Sequence, residues 1–314
     1  MAQHVLTDNF RYFFTRINPS ATITSRAASE YNSIKRVLEN HPTLGSDLNA
    51  HCYVQGSYGW ETAIHDINDV DVILFLEGLH FPPTSAGGPG TGWDRNRIFK
   101  TVISALQGDL RYLHKLMPVK PDSMCVKVDL GIKVEILPVV RNSANVVTDR
   151  EPFYLWRPER NQWELGYATT HRGYLSAKNL ATDGNFIPMI KVVKHLRTRG
   201  GLDSVSFHIE SLLFRIDNQQ FLGRPVEYIP RVLSFIAGIG AEADYRQKIM
   251  TPCCDRDIFT ASEWTFSAWN AFHKALTSWA ILAQIAASQG NREEAIRSWK
   301  LLLGDDYFPR SVNS

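Results

Sequence analysis

Gly56-Ser57-Tyr58-Gly59-Trp60-Glu61-Thr62 runs through Ala63 to Asn68 into Asp69-Val70-Asp71-Val72-Ile73-Leu74-Phe75-Leu76. The last eight residues read as a buried strand, an apolar run of strand length with polar residues before it. Side chains of a strand alternate between faces, so Asp69 and Asp71 share one face while Val70, Val72 and Leu74 pack on the other. Two adjacent carboxylates repel unless a cation sits between them. Mg²⁺ suits the arrangement, a hard ion that takes one or two carboxylates together with substrate phosphates. Gly56-Ser57 adds a point where backbone approaches phosphate closely, ahead of a helix N-terminus with free N–H groups.

Each piece has a plainer reading. Gly-Ser pairs cap many helices, and an Asp-x-Asp tripeptide also decorates solvated strand edges. An EF-hand over Asp66-Ile67-Asn68-Asp69-Val70-Asp71 fails, because no glycine stands at its sixth position and the run continues as an apolar strand. A two-metal site needs a third acid. Glu135 is the candidate, inside the alternating Lys133-Val134-Glu135-Ile136-Leu137-Pro138, where a lone acid is otherwise unwelcome. Asp129 competes, but it lies beside the Gly131 turn, where an acid is easily solvated.

Outward from this centre, residues 22–40 read as a helix with Ala27, Tyr31, Ile34 and Leu38 on one stripe. His41-Pro42 and Gly45-Ser46 end it. Residues 50–54 form a short strand, and 58–65 one or two helical turns. Phe81 to Gly92 reads as a surface loop, whose glycines fail as a dinucleotide fingerprint because no strand feeds them directly. A helix follows over 98–116, then strands over 124–130 and 132–140, and a polar, aromatic crossing segment over 142–165. Beyond it the chain reads as helices at 171–182, 186–199, 205–217, 226–238, 262–288 and 292–303. The composition shift near residue 160 marks the expected domain boundary.

The chain has 314 residues, 44% hydrophobic and 21% charged, an ordinary globular balance. Its formal net charge of +2 carries no strong nucleic-acid signal. Cys52, Cys125, Cys253 and Cys254 lack CxxC spacing, and reduced thiols are expected, the adjacent pair being the one weak hint of zinc. No apolar run reaches the ~20 residues of a membrane span, and Met1-Ala2-Gln3-His4 is not the start of a secretory signal. A cytoplasmic protein is the expectation.

The order Gly56-Ser57, Asn68-Asp69-Val70-Asp71, then Glu135-Ile136-Leu137-Pro138 resembles the polymerase-beta-type nucleotidyltransferase superfamily. More narrowly it resembles the bacterial CD-NTases, relatives of cyclic GMP-AMP synthase and oligoadenylate synthetase found in CBASS anti-phage systems. The family usually has Asp where Glu135 stands, so this chain departs there by one methylene. Thr169-Thr170-His171 and the helix ending at Asn179 are similar to the segment after the family's core. Ile187-Pro188-Met189-Ile190-Lys191-Val192-Val193-Lys194-His195 resembles its helix with a phosphate-binding lysine, matched to Lys194. Ser206-Phe207-His208-Ile209-Glu210-Ser211-Leu212-Leu213 resembles the next helix, where Ser206 faces the nucleotide.

The resemblance implies an α+β fold: a nucleotidyltransferase core with a small mixed sheet over 1–160, packed on a C-terminal helical, oligoadenylate-synthetase-like bundle over 161–314. It implies an enzyme that joins nucleoside triphosphates, ATP first among them, into a cyclic di- or trinucleotide messenger and releases pyrophosphate. Asp69, Asp71 and Glu135 would hold two Mg²⁺ ions, with Mn²⁺ as a substitute, while Gly56, Ser57 and Lys194 bind phosphate. An accessory regulator and a separate effector sensing the product are the implied partners. The run Lys191, Lys194, His195, Arg197 and Arg199 reads either as a solvated face or as a basic rim for phosphates. Tyr58, Trp60 and Tyr174 could stack on bases, though packing is the commoner role. Two rivals stand beside this: a linear oligonucleotide synthase or RNA 3′-end transferase, and a non-catalytic nucleotide-binding module.

Overall fold

A computed structural model describes residues 6–65, 69–81, 92–142, 152–158, 161–238, 240–254, 256–259 and 264–309. The chain divides into two compact units, residues 20–172 and residues 1–19 with 173–314. The architecture is α+β, as expected.

The first unit is built on a six-stranded mixed sheet. Its strands are β1 (Ala50–Gln55), β2 (Asp69–Phe81), β3 (Val126–Asp129), β4 (Lys133–Asn142), β5 (Phe153–Arg157) and β6 (Gln162–Gly166). The order is β1-β2-β4-β5-β6, with β3 also pairing with β4. β2 and β4 run parallel, and the other pairs are antiparallel. Val70, Val72, Leu74 and Leu76 of β2 are fully buried, as are Val126, Val128, Val134 and Ile136. They share one core with Ala27, Ile34 and Leu38 of α2 (Ala21–Glu39) and with Ile98, Val102 and Leu106 of α4 (Arg95–Gln107). At about 1.5–3 kcal/mol for each buried aliphatic side chain, this face fixes the strand register, since a slip of one residue would turn the acids inward. The Glu39 carboxylate accepts from the Cys52 N–H at 2.7 Å and the Tyr31 hydroxyl donates to the Cys52 carbonyl at 2.9 Å, tying α2 to β1.

Several sequence expectations are corrected. The helix read over 98–116 spans 95–107: Asp94 caps it by accepting from the Arg97 N–H, and Gly108 ends it. Leu110 and Leu113 continue its periodicity but are exposed, so spacing there outlasted the helix. Pro138 lies inside β4. It falls where β3 has ended, opposite Ile136, and β5 has yet to begin, opposite Val139, so among the described residues no strand on that edge needs its missing N–H. The crossing segment holds the β5–β6 hairpin, whose Trp156 and Trp163 are register partners with ring centroids 5.8 Å apart. The turns expected over 58–65 shrink to α3 (Gly56–Gly59), which starts at the glycine. Glu61 then turns left-handed, with φ of 62°, and the Ser57 carbonyl accepts from both Thr62 and Ala63. The expected Phe81–Gly92 loop and Asn68 lie almost wholly or wholly outside the described residues.

In the second unit the helices α5 (Ala168–Ala181, which begins in the first unit), α6 (Phe186–Arg199), α7 (Ser206–Phe214), α8 (Pro225–Ala237), α10 (Phe266–Ser288) and α11 (Arg292–Leu303) follow the expected order. α1 (Thr7–Ile17) and α9 (Ala241–Gln247) had no counterpart in the sequence reading. α1 belongs here because Phe10 packs edge-on against Trp299 and Phe308, while the Asn9 amide donates to the Pro309 carbonyl at 2.7 Å. Trp264, Trp269 and Trp299 are fully buried and serve packing. No helix among the described residues is long and apolar enough to cross a membrane.

Candidate active site

The sheet face opposite α2 and α4 carries the candidate acids. Register pairing sets Gln55, Asp71, Glu135 and Lys127 in one row across β1, β2, β4 and β3. A second row holds Asp69, Lys133 and Asp129. Acids and bases therefore alternate along β3 and β4, while β2 presents two acids in succession.

Gly56 seals the first row. Its φ is +66°, and a Cβ there would lie 1.8 Å from Oδ2 of Asp71. No other residue allows the backbone this approach, because any side chain would displace the carboxylate and strain the left-handed turn. We expect Gly56→Ala to lower turnover by about 10²-fold, the cost of displacing a catalytic group by about 1 Å, with the fold retained by circular dichroism. Wild-type turnover in that variant would remove Gly56 from the site.

Electrostatics separate the acids. Partial burial first, and the Glu135 charge second, hold the Asp69 carboxyl above its ordinary range. Glu135 accepts from Lys127 Nζ at 2.5 Å and from Cys125 Sγ at 3.5 Å. Burial, then the Glu135 charge, push the Cys125 thiol up to about 12, so it stays protonated and donates. Asp129 is exposed, as its place beside the turn suggested, and accepts from the Gly131 N–H at 3.0 Å. On β1, Gln55 Oε1 is buried with no hydrogen-bond partner among the described residues. Sequence reasoning missed Gln55, Lys127 and Cys125. Only cross-strand register relates them to the acids, although Lys127 does share strand parity with Asp129.

The donor set fits a divalent cation in type. Hard carboxylate oxygens share one face, one acid is crowded by another's charge, and an amide oxygen nearby lacks a donor among the described residues. The side chains are not yet gathered around a single point: among the described residues, no group of three or more His, Cys, Asp or Glu is close enough to hold a metal. Among the described residues none of the four cysteines forms a disulfide, and Cys253-Cys254 forms no such group either.

The sequence candidates on α6 and α7 lie in the second unit and are tied within it. Lys194 is buried in an ion pair with Glu210, Nζ to Oε1 2.6 Å, at 2% and 1% exposure. Ser206 accepts from Arg197 Nη1 at 3.3 Å, and Lys191 donates to Asn18 at 2.7 Å. His195 Nε2 meets the Leu303 carbonyl at 2.8 Å, and Arg199 donates to the Leu302 carbonyl. Every member of the basic run thus holds a partner inside its own unit. Of the aromatic residues, Trp60 is buried against His171 with centroids 4.6 Å apart, Tyr58 packs at the edge of the core, and Tyr174 stays exposed beside Phe214.

The model of the Second Messenger Oligonucleotide or Dinucleotide Synthetase (SMODS) domain matches residues 5–179. The chain belongs to this family and is a CD-NTase. Among curated relatives it is 24% identical to the cyclic UMP-AMP synthase of Rhodothermus marinus, covering 64% of this chain and 74% of that one. It is 21% identical to the cyclic AMP-AMP-AMP synthase of an Acinetobacter species, covering 95% and 83%. Among solved structures, the R. marinus CdnE c-UMP-AMP synthase with Apcpp and Upnpp aligns with a TM-score of 0.69 at 20% identity, over 92% of this CD-NTase and 99% of that chain. Escherichia coli CdnC with ATP aligns with a TM-score of 0.68 at 15% identity, over 98% and 99%. CdnC is also known in complex with HORMA-deltaN. This CD-NTase is an enzyme, a nucleotidyltransferase that makes cyclic oligonucleotides from nucleoside triphosphates.

Proposed function

We propose that the acid row of the first unit is the catalytic centre, and that the product is a cyclic di- or trinucleotide messenger in CBASS anti-phage defence. The observation that carries this reading is the register pairing of Asp71 with Glu135, with Gly56 closed against the Asp71 carboxylate. Asp69, Asp71 and Glu135 are the residues that would hold two Mg²⁺ ions, for which Mn²⁺ can substitute. Bound there, such ions supply Lewis-acid neutralisation of triphosphate charge and a lowered pKa for the attacking hydroxyl.

The remaining work falls to the chain itself. Gly56 and Ser57 admit the β- and γ-phosphates close to the backbone. The sheet face holds the acceptor ribose so that its 2′- or 3′-hydroxyl meets the α-phosphorus in line with the departing pyrophosphate. The new bond is a phosphodiester, the broken one is the α–β phosphoanhydride, and the hydroxyl proton leaves to solvent. A second round on the linear intermediate closes the ring. We assign the catalytic domain, read from sequence as 1–160, to the compact unit 20–172, and the helical domain, read as 161–314, to the other unit. Ser206 keeps its nucleotide role by family resemblance alone, whereas the phosphate role matched to Lys194 is not carried over, because its ammonium is buried against Glu210. ATP is the first substrate to test, a separate protein senses the product, an accessory protein regulates synthesis, and the enzyme works in the cytoplasm.

Incubation with Mg²⁺ and each α-³²P-labelled triphosphate, in the presence of the other three, tests the reading. A phosphatase-resistant product supports cyclisation, a ladder supports linear synthesis, and unchanged substrate points to binding only or to a missing activator. Glu135→Gln should leave triphosphate binding within about threefold of wild type, roughly 0.6 kcal/mol, while stopping bond formation. If Asp129→Asn is the more damaging change, the third acid is misassigned.

A further inference from the structure

Both oxygens of Glu135 are already engaged. Oε1 meets Lys127 Nζ at 2.5 Å, and Oε2 accepts from Cys125 Sγ at 3.5 Å. Lys127 is the direct cross-strand partner of Glu135 on β3, while Asp71 is its partner on β2. Glu135 thus stands between an ammonium on one side and a carboxylate on the other. We propose that Lys127 is a stand-in cation: its ammonium engages the Glu135 carboxylate, and a divalent ion assembles Glu135 with Asp69 and Asp71 only by displacing it. This rests on the assignment of those acids as cation ligands.

Three observations converge on the stand-in. No group of three acidic, thiol or imidazole side chains is gathered for a metal among the described residues, although Asp71 and Glu135 are register partners. The third acid is Glu, and its longer arm can serve either neighbour, turning toward β3 in one state and β2 in the other. The pair is half-open to water, with 41% of Lys127 and 25% of Glu135 exposed, so its net strength is small enough for a doubly charged ion to overcome. A fully buried pair such as Lys194–Glu210 could not exchange in this way. The consequence is a built-in threshold: free divalent cation alone fills the site poorly, and cation arriving with a triphosphate fills it well.

The test is cation binding, read without turnover. Full-length protein is titrated with Mn²⁺ in the absence of nucleotide, free Mn²⁺ is followed by electron paramagnetic resonance, and circular dichroism checks each variant for folding. Lys127→Gln should bind Mn²⁺ about three- to fivefold tighter than wild type, the worth of a partly exposed ion pair. Lys127→Met should repeat the gain, and Lys127→Arg should stay near wild type. Lys133→Gln removes the same charge from the same face, opposite Asp69, and should give a clearly smaller gain. The Lys127→Gln gain should vanish in a Glu135→Gln background. Unchanged or weaker binding by both neutral Lys127 variants overturns the stand-in, as does an equal gain from Lys133→Gln, which would reduce the effect to net charge. Asp69→Asn with Asp71→Asn separates the two levels: loss of wild-type Mn²⁺ binding there upholds the ligand assignment whatever Lys127 does, and retained binding overturns both.

Discussion

Asp69→Asn combined with Asp71→Asn is expected to abolish cyclic product while leaving the protein folded. The two side chains share one face of β2, so the double change removes the acidic pair without touching Val70, Val72 or Leu74 beneath. Stability should move slightly upward in metal-free buffer. The Asp69 carboxyl sits above its ordinary range, so the folded state holds its proton more tightly than the unfolded state does. Its favourable contribution is complete below the unfolded pKa and is lost as pH rises through the folded value, leaving a net cost at neutral pH. Asparagine cannot ionise and removes that cost. A thermal melt at pH 7.5 reads this, and labelled-triphosphate turnover reads the activity. Residual product from the folded double variant would remove the acid pair from the mechanism.

The largest stability effect belongs to Lys194. Its ion pair with Glu210 is almost wholly enclosed, and removal of Lys194 takes from the buried Glu210 carboxylate the ammonium 2.6 Å away. Lys194→Met should cost about 3–5 kcal/mol, a fall in melting temperature on the order of 10 °C. Glu210→Leu added to it should recover most of the loss, since an apolar pair of similar volume needs no solvation. A small loss in the single variant, with weakened triphosphate binding, would show instead that Lys194 acts on phosphate and that its charge is not committed to Glu210.

What the sequence revealed and what it hid have physical reasons. The Asp69–Leu76 strand and its acid face were legible because a two-residue period survives any tertiary context that keeps the strand. Glu135 was legible for the same reason, being polar at an alternating position. Lys127 and Gln55 were not, because their meaning lies in cross-strand register, which no single strand encodes. The β5–β6 hairpin was hidden by its composition: Tyr154, Trp156, Trp163 and Glu164 pair across strands but mix polar and aromatic residues, as crossing segments do. Lys194 looked like an accessible helix lysine. The acid that buries it is Glu210, on the following helix, and only packing brings the two together. The end of α4 was misjudged because Leu110 and Leu113 keep the helical spacing after Gly108 has broken the helix.

The most direct measurement is anomalous diffraction from crystals of this CD-NTase soaked with Mn²⁺ and a non-hydrolysable nucleoside triphosphate. Manganese peaks bounded by Asp69, Asp71 and Glu135, with the triphosphate against Gly56 and Ser57, are expected. A nucleotide bound elsewhere, or manganese held without these carboxylates, would contradict the assignment of the acid row as the catalytic centre.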